Sequence, residues 1–395
     1  MDVRSAVVLA AGEGDRLRPL TKHRPKPMLP AARRPILEHV FDQLIEAGIE
    51  EIVVVVGYRR QRVQSHFGAT YRNVPLTYVS QQNQLGTGHA LLTAKPSVAG
   101  ACIVINGDQI VDSRIVRDVV DTHDSDAAAS LALLHRPVAG YGGVLTENGL
   151  VTEIVEDPRD YGERSYTLNA GVYVLESAAF DAIRDAKPHA GEHSIVDGVI
   201  ELIDRDAIVN GVVTEGLWAD ATYPWDLLEM SFDLFEAGVV ESTQSDNELE
   251  TTAVHESAVI REPVTVGPDC VIEPGAVVGP HVCLGENVTI SSNAVVERSV
   301  IDTDTRIKSN ATVIDCVTGT GVSIGPGSTV PGGPADVRVN SQIFEDETLG
   351  ALIADRVHDR GDVTYVPGAI VGPDVELHPG TTVRGTIAEN TEVRS

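Results

Sequence analysis

Arg16 and Lys26 are the residues from which chemistry reads most directly. They lie in the run Leu9-Ala10-Ala11-Gly12-Glu13-Gly14-Asp15-Arg16-Leu17-Arg18-Pro19-Leu20-Thr21, which continues as Arg24-Pro25-Lys26-Pro27-Met28-Leu29-Pro30. A glycine turn after a first strand lets backbone N–H groups approach a phosphate, and a following helix end adds a favourable dipole. Prolines at 25, 27 and 30 stiffen the chain around Lys26. Arg16, Lys22, Arg24 and Lys26 gather cations in a chain whose formal net charge is −28. A stiff loop presenting a lysine is what anchoring a polyphosphate requires. A dinucleotide fingerprint would want Gly or Ala where Leu17 stands, and the Gly-Lys-Ser/Thr of a Walker loop is absent.

Two carboxylates suit a cation. Asn106-Gly107-Asp108 follows the apolar run Cys102–Ile105, and a carboxylate at the C-terminal end of a parallel strand lies at the ligand crevice of an open sheet. Asp108 is therefore expected to ligate Mg²⁺, a hard cation that prefers carboxylate oxygen. Asp220, in Trp218-Ala219-Asp220, precedes an amphipathic run from Trp225 to Phe235.

The elements that must position these groups come in two kinds. In the first half, Ala6–Ala10, Ile52–Val56 and Cys102–Ile105 read as buried strands, with further strands near 129–135 and 170–175. Ile36/Leu37, Val40/Phe41 and Leu44/Ile45 recur at helical spacing, and Gly48 sits where a helix would stop. Strand–helix–strand order predicts an α/β fold, a Rossmann-like mixed and mostly parallel sheet with helices on both faces. The polar stretch 241–252 reads as a linker between a domain at 1–240 and one at 253–395.

Beyond the linker the period changes to six. Val254, Ile260, Val266, Ile272, Val278, Leu284, Ile290 and Val296 keep that spacing, and Ala258, Val264, Cys270, Ala276, Val282, Val288, Ala294 and Val300 follow four residues after each. A period of six with paired small and aliphatic positions predicts a parallel β-helix of hexapeptide repeats, three short faces to a coil. The register is expected to slip at Ile301, and 331–356 to protrude as a loop.

Leu-Ala-Ala-Gly-x-Gly-x-Arg-Leu-x-Pro-Leu-Thr followed by Pro-Lys-Pro-Met-Leu-Pro resembles the opening of the sugar-phosphate nucleotidyltransferases, many of which end in a left-handed β-helix. The resemblance implies that Leu9, Ala11, Gly12 and Gly14 wrap the nucleoside triphosphate, that Arg16 and Lys26 are catalytic cations on pyrophosphate and sugar phosphate, and that Asp108 and Asp220 share the metal. Gln81-Gln82-Asn83-Gln84-Leu85-Gly86-Thr87 is similar to the uracil-reading segment of UDP-N-acetylglucosamine pyrophosphorylases, which points Gln81, Gly86 and Thr87 at the base. Tyr141-Gly142, Glu156 and Leu168-Asn169-Ala170-Gly171 match sugar-binding stretches, giving Gly142, Glu156 and Asn169 as sugar contacts. Many members carry Glu-Lys-Pro where this chain has Glu156-Asp157-Pro158, which removes a cation near the sugar phosphate.

The implied reaction joins UTP (or dTTP) to a sugar-1-phosphate, N-acetylglucosamine-1-phosphate above all, with glucose-1-phosphate thymidylyl- or uridylyltransfer as the competitor. Some relatives also acetylate glucosamine-1-phosphate on the β-helix. Ser309 stands where that activity wants a histidine base and Thr312 where it wants a tyrosine, so acetyl transfer is expected to be lost. The β-helix would then serve assembly, as a homo-oligomer with a trimer favoured. A non-catalytic regulatory homologue would be expected to lose Arg16, Lys26, Asp108 or Asp220; all four are present.

Composition bounds the rest. With 58 acidic against 30 basic residues in 395, the surface would repel nucleic-acid backbones and anionic lipid, so neither nucleic acid nor membrane is an expected partner. Four scattered cysteines argue against a disulfide scaffold, and the start lacks a signal-peptide layout, so a cytoplasmic protein is expected. The acid spread along the chain suits a protein adapted to high salt, where screening tolerates such self-repulsion.

Overall fold

The computed structural model describes residues 3–138, 140–156, 165–188, 191–242 and 252–394. The expected linker at 241–252 lies almost wholly outside the described residues, as do Asp157 and Pro158. The chain packs as two compact units: residues 1–13, 25–28 and 36–219 form the first, and residues 14–24, 29–35 and 220–395 the second.

The first unit is built on a ten-stranded mixed sheet. Ser5–Ala10 lies parallel between Glu51–Val56 on one side and Cys102–Asn106 on the other. Val74–Ser80 extends the parallel part beyond Glu51–Val56, whereas Thr167–Leu175 runs antiparallel between Cys102–Asn106 and Ala129–Leu134. Both faces of the central strands are covered, which is why they read as unbroken apolar runs rather than alternating ones. Val7, Leu9, Val53, Val55 and Val104 share a core with helices Thr87–Ala94, Ser177–Asp185 and Ile195–Asp204. The alternate residues Ala6, Val8, Ile52, Val54, Ile103 and Ile105 are buried on the opposite side. The chain leaves Ser5–Ala10 in one direction first and returns to its other side only with Cys102–Asn106. The end of that first strand is thus a topological switch point, where open α/β sheets bind ligands.

In the second unit three parallel sheets of eight, seven and seven short strands run along a left-handed β-helix. Early coils advance by eighteen residues, as Ala253 pairs with Val271 and Val271 with Thr289. Corners fall to residues in the left-handed backbone region: Asp269, Gly275, His281, Asn287 and Asn293 all have positive φ at a spacing of six. Gly, Asn and Asp visit that region at least cost, which explains the corner composition. The next positive-φ positions are Arg298, Asp304, Asn310 and Asp315, so one corner step shortens to five residues before Arg298 and another before Asp315. The shortened step before Arg298 is the slip expected at Ile301, which lies in the interior core five residues after Val296; the correction falls on Val300, expected in the interior series but left out of that core. Val300 is nonetheless buried, on the outer face of its sheet, where helix Asp226–Glu236 packs. Val254 and Ile260 belong to the interior series yet are 40% and 38% exposed, because among the described residues no coil lies below theirs. Residues 331–356 carry an antiparallel hairpin, Ala335–Val339 with Gln342–Glu347.

The coil interior is not wholly apolar. The Asp359 carboxylate, 2% exposed as a residue, accepts hydrogen bonds from Ser328 Oγ (3.0 Å), the Gly361 N–H (2.7 Å) and the Tyr365 hydroxyl (3.2 Å). Burial pushes this carboxyl above the usual carboxylate range, against those donors. The folded state therefore holds the Asp359 proton more tightly than the unfolded chain does. The stabilisation is full below the ordinary value of about 3.9 and lost as pH rises through the raised one. Asp359→Asn is expected to remove this slope: plotted against pH, the difference in melting temperature between variant and parent should shift towards the variant as pH rises. A difference that stays flat from pH 4 to 8 would contradict it.

Candidate active site

In the first unit the predicted residues converge on the ends of the parallel strands. The Gly107 N–H donates to the Leu9 carbonyl (2.8 Å), tying the end of Cys102–Asn106 to that of Ser5–Ala10. A Cβ on Gly107 would lie 3.0 Å from Ala10 Cβ, so glycine permits the close approach. Asp108 follows directly, and its Oδ2 lies 2.7 Å from Lys26 Nζ. The two side chains are 27% and 14% exposed, so the pair is drier than an ordinary surface bridge and interacts more strongly.

The loop after the first strand is held from the side by residues for which no chemistry was expected. The Ala11 carbonyl accepts from Gln84 Nε2 (2.9 Å) and from the Tyr58 N–H (3.4 Å). A Cβ on Gly12 would meet nothing within 4 Å, so the backbone there borders open space that a phosphate can approach. Gln84 lies within the run Gln81–Thr87, and nothing in its spacing marks it as the support of this turn.

The segment expected to face the base is equally specified. Gln81 is buried, and its Nε2 donates to the Gly86 carbonyl (3.2 Å) and lies 2.9 Å from His89 Nδ1. Gly86 has φ +97°, and a Cβ there would stand 2.3 Å from the His193 carbonyl oxygen. Thr87 opens the helix Thr87–Ala94, and its hydroxyl accepts from the Ile195 N–H (3.2 Å).

Gly142, Glu156 and Asn169 are brought together. Gly142 pairs across the sheet with Glu156, and its missing Cβ would sit 3.6 Å from Asn169 Cβ. Asn169 occupies an irregularity of strand Thr167–Leu175, where its Nδ2 donates to the Tyr173 hydroxyl (2.8 Å) and its Oδ1 accepts from the Gly171 N–H (3.1 Å). One amide hydrogen and one lone pair remain after those bonds. Burial pushes the Tyr173 hydroxyl up to about 12, so it stays a neutral partner.

Gly14, Arg16 and Asp220 belong to the second unit. Gly14 has φ +73°, and its carbonyl accepts from Thr21 Oγ1 (2.8 Å) and the Leu17 N–H (3.0 Å), closing the turn of which Arg16 is part. The Arg16 guanidinium lies 5.7 Å from the Tyr223 ring centroid, a cation–π contact. Asp220 Oδ2 accepts from Thr222 Oγ1 (2.5 Å). The nearby Asp226 carboxylate accepts from the N–H groups of Thr222 (2.7 Å) and Tyr223 (2.6 Å), fixing the turn that leads into helix Asp226–Glu236. Lys22 and Arg24, counted above among the phosphate-gathering cations, instead pair with β-helix acids, Lys22 with Glu389 and Arg24 with Asp302. Among the described residues no helix is long and apolar enough to cross a membrane.

The family model described as Nucleotidyl transferase matches residues 5–236, and that described as GMPPB C-terminal domain matches residues 260–394. The chain is similar to the Bifunctional protein GlmU of Methanococcus maripaludis. In one strain the match is 33% identical over 65% of this chain and 61% of the relative; in another it is 34% identical over 98% of this chain and 96% of the relative. It is 36% identical to the UTP–glucose-1-phosphate uridylyltransferase AglF of Haloferax volcanii, over 61% of this chain and 98% of that protein. A solved UDP-glucose pyrophosphorylase complexed with UDP-glucose shares the fold at a TM-score of 0.54 and 23% identity, covering 60% of this chain and 99% of that one. Matches that run through both parts of the chain, over nearly its whole length in one case, show that it belongs to the nucleotidyl transferase family.

Proposed function

We propose that the protein forms a UDP-sugar and pyrophosphate from UTP and a sugar-1-phosphate, with N-acetylglucosamine-1-phosphate as the sugar substrate. The observation that carries this reading is the Lys26–Asp108 pair at the ends of the parallel strands, beside the open backbone at Gly12. An oxygen of the sugar phosphate attacks the α-phosphorus in line; that O–P bond forms as the bond to the pyrophosphate oxygen breaks. No general base is needed, because the attacking phosphate is already ionised. Lys26 and Arg16 neutralise charge on the phosphates, and the rigid turn at Gly12 and Gly14 sets their position. Gln81, whose amide nitrogen is engaged by Gly86 and His89, has Oε1 to accept from a uracil N3–H. Gly86 and Thr87 line the base, and Gly142, Glu156 and Asn169 receive the sugar.

Asp108 and Asp220 are hard oxygen donors of the kind Mg²⁺ takes, and both would hold it. When bound, the ion would add positive charge against the triphosphate. Lys26 Nζ, which pairs with Asp108 in this structure, would supply its own positive charge to the phosphates.

Glucose-1-phosphate is the second reading, favoured by the likeness to AglF, which covers nearly all of that relative. Acetyl transfer is absent in this proposal, since Ser309 and Thr312 supply no base, and the β-helix serves assembly into a trimer. The domains are proposed as 1–240 and 253–395 about a linker at 241–252. The decisive experiment measures pyrophosphate release for UTP, dTTP, GTP and ATP against several sugar-1-phosphates with Mg²⁺. UTP with N-acetylglucosamine-1-phosphate is expected to give the highest kcat/KM. A higher value for glucose-1-phosphate would select the second reading, and no release from any pair would end both.

A further inference from the structure

The short segment that carries Arg16 is gripped by the β-helix at two places. At its far end, Lys22, His23 and Arg24 meet one corner of successive coils. Arg24 Nη2 lies 2.5 Å from Asp302 Oδ2 and 3.5 Å from Asp355 Oδ1, with the arginine side chain 15% exposed and each carboxylate side chain 9%. Thr320, on the coil between those two acids, donates its hydroxyl to Asp302 (3.2 Å) and its N–H to Asp355 (3.0 Å), so both carboxylates are oriented before Arg24 arrives. Burial alone would lower the Arg24 pKa, but Asp302 and Asp355 more than offset it and hold the guanidinium charged. Beside it, Lys22 pairs with Glu389, and Arg356 Nη2 lies 3.3 Å from His23 Nε2 while binding Asp374 through two nitrogens at 2.7 Å each.

At its near end the grip is aromatic. Phe344, on the hairpin that interrupts the coils, packs against Tyr223 with ring centroids 4.5 Å apart and against Trp225 at 5.2 Å. Tyr223 and Trp225 stack at 4.9 Å and 9°, and Tyr223 carries the Arg16 guanidinium on its other contact. The hairpin thus reaches Arg16 through a single intervening ring.

We propose that the β-helix is a brace for the nucleotide-binding turn: Asp302, Asp355 and Phe344 are positioning residues that hold the segment 14–24, and through it Arg16, in its working orientation. This rests on the reading of Arg16 as a catalytic cation. It gives the β-helix a part in nucleotidyl transfer that does not depend on assembly or on acetyl transfer. A surface charge ladder alone would be worth little. A nearly dry arginine facing two pre-oriented acids, together with a stacked ring on Arg16, defines one geometry.

The test uses the full chain in a double-mutant cycle. Asp302→Asn/Asp355→Asn is expected to lower kcat/KM for the nucleoside triphosphate at least about tenfold, and Phe344→Ala about fivefold, with KM for the sugar phosphate changed less than about twofold. In an Arg16→Ala background the same substitutions should change turnover less than about twofold, because the group they position is gone. Hydrogen exchange supplies a readout independent of activity: amides of residues 14–24 should exchange at least about tenfold faster in the double variant, with coils 264–296 unchanged. Should the double variant fail to fold, Asp355→Asn alone, which keeps the 2.5 Å Asp302 contact, carries the same cycle. Unchanged exchange in 14–24, or equal losses with and without Arg16, would overturn the brace. Full activity of Arg16→Ala and Lys26→Ala would instead overturn the catalytic reading, leaving the exchange result to decide the brace.

Discussion

Lys26→Ala is expected to lower turnover about 10³-fold, the equivalent of about 4 kcal/mol of transition-state stabilisation, while the fold survives. The ammonium is mostly shielded from water and lies within 2.7 Å of Asp108, so its charge acts in a medium less polar than bulk solvent. The Asp108 carboxylate left behind is 27% exposed and can hydrate, which is why the penalty falls on catalysis rather than on stability. Asp108→Ala should cost turnover by a similar factor, and the double variant little more than either single one, since the two groups act as a unit. Initial rates of pyrophosphate release, beside thermal melts, check all three. Near-normal turnover in either single variant would refute the assignment.

Gly86→Ala and Gly12→Ala should separate structure from function within one binding surface. At Gly86 the backbone has φ +97° and ψ 175°, a region open almost only to glycine, and the new Cβ would stand 2.3 Å from the His193 carbonyl oxygen. Strain and overpacking together amount to about 2–6 kcal/mol, which lowers the melting temperature by roughly 5–20 °C. Gly88 donates its N–H to that same carbonyl at 2.8 Å, so relief by moving His193 would loosen the start of helix Thr87–Ala94 as well. Gly12 is the counter-case. Its added Cβ has open space around it, so melting should be unchanged while KM for the nucleoside triphosphate rises about tenfold. A Gly12→Ala enzyme with unaltered KM would move the phosphates elsewhere; a Gly86→Ala enzyme that melts like its parent would show that the loop can relax.

The β-helix was the most legible part of the chain because its spacing repeats. Each coil stacks on a copy of itself, so a period of six in Val266, Ile272, Val278 and Leu284 implies the interior directly. Its departures come from ends and corners rather than from hydrophobicity. Among the described residues Val254 and Ile260 keep the pattern with a neighbouring coil on one side only, and Val300 keeps the look of the pattern after a corner has lost a residue. Strands and helices of the first half were readable for the same local reason, as Ile36–Glu46 shows by ending just before Gly48. The candidate site was legible where one short motif gathers its residues, from Leu9 to Lys26. What could not be read was the division of labour inside that motif. Lys22 and Arg24 look like Lys26 in sequence, but their partners Glu389 and Asp302 are hundreds of residues away, and no local pattern marks those acids as buried or paired. Tyr223 was invisible for a similar reason: its value lies in stacking on Arg16, which depends on the fold bringing them together.

The shared corner that holds Lys22 and Arg24 turns the coil repeat into a ruler. Asp355 and Glu389 lie two coils apart, and neighbouring coils are separated by about 4.8 Å, so the graduations span roughly 10 Å. Inserting one coil between them would carry Glu389 away by a full graduation, beyond the reach of an ion pair. Growth of the solenoid should therefore be tolerated after Glu389 but not between Asp302 and Glu389, whatever the hexads inserted. The length of that stretch is therefore set by the distance between the residues whose charges it must meet.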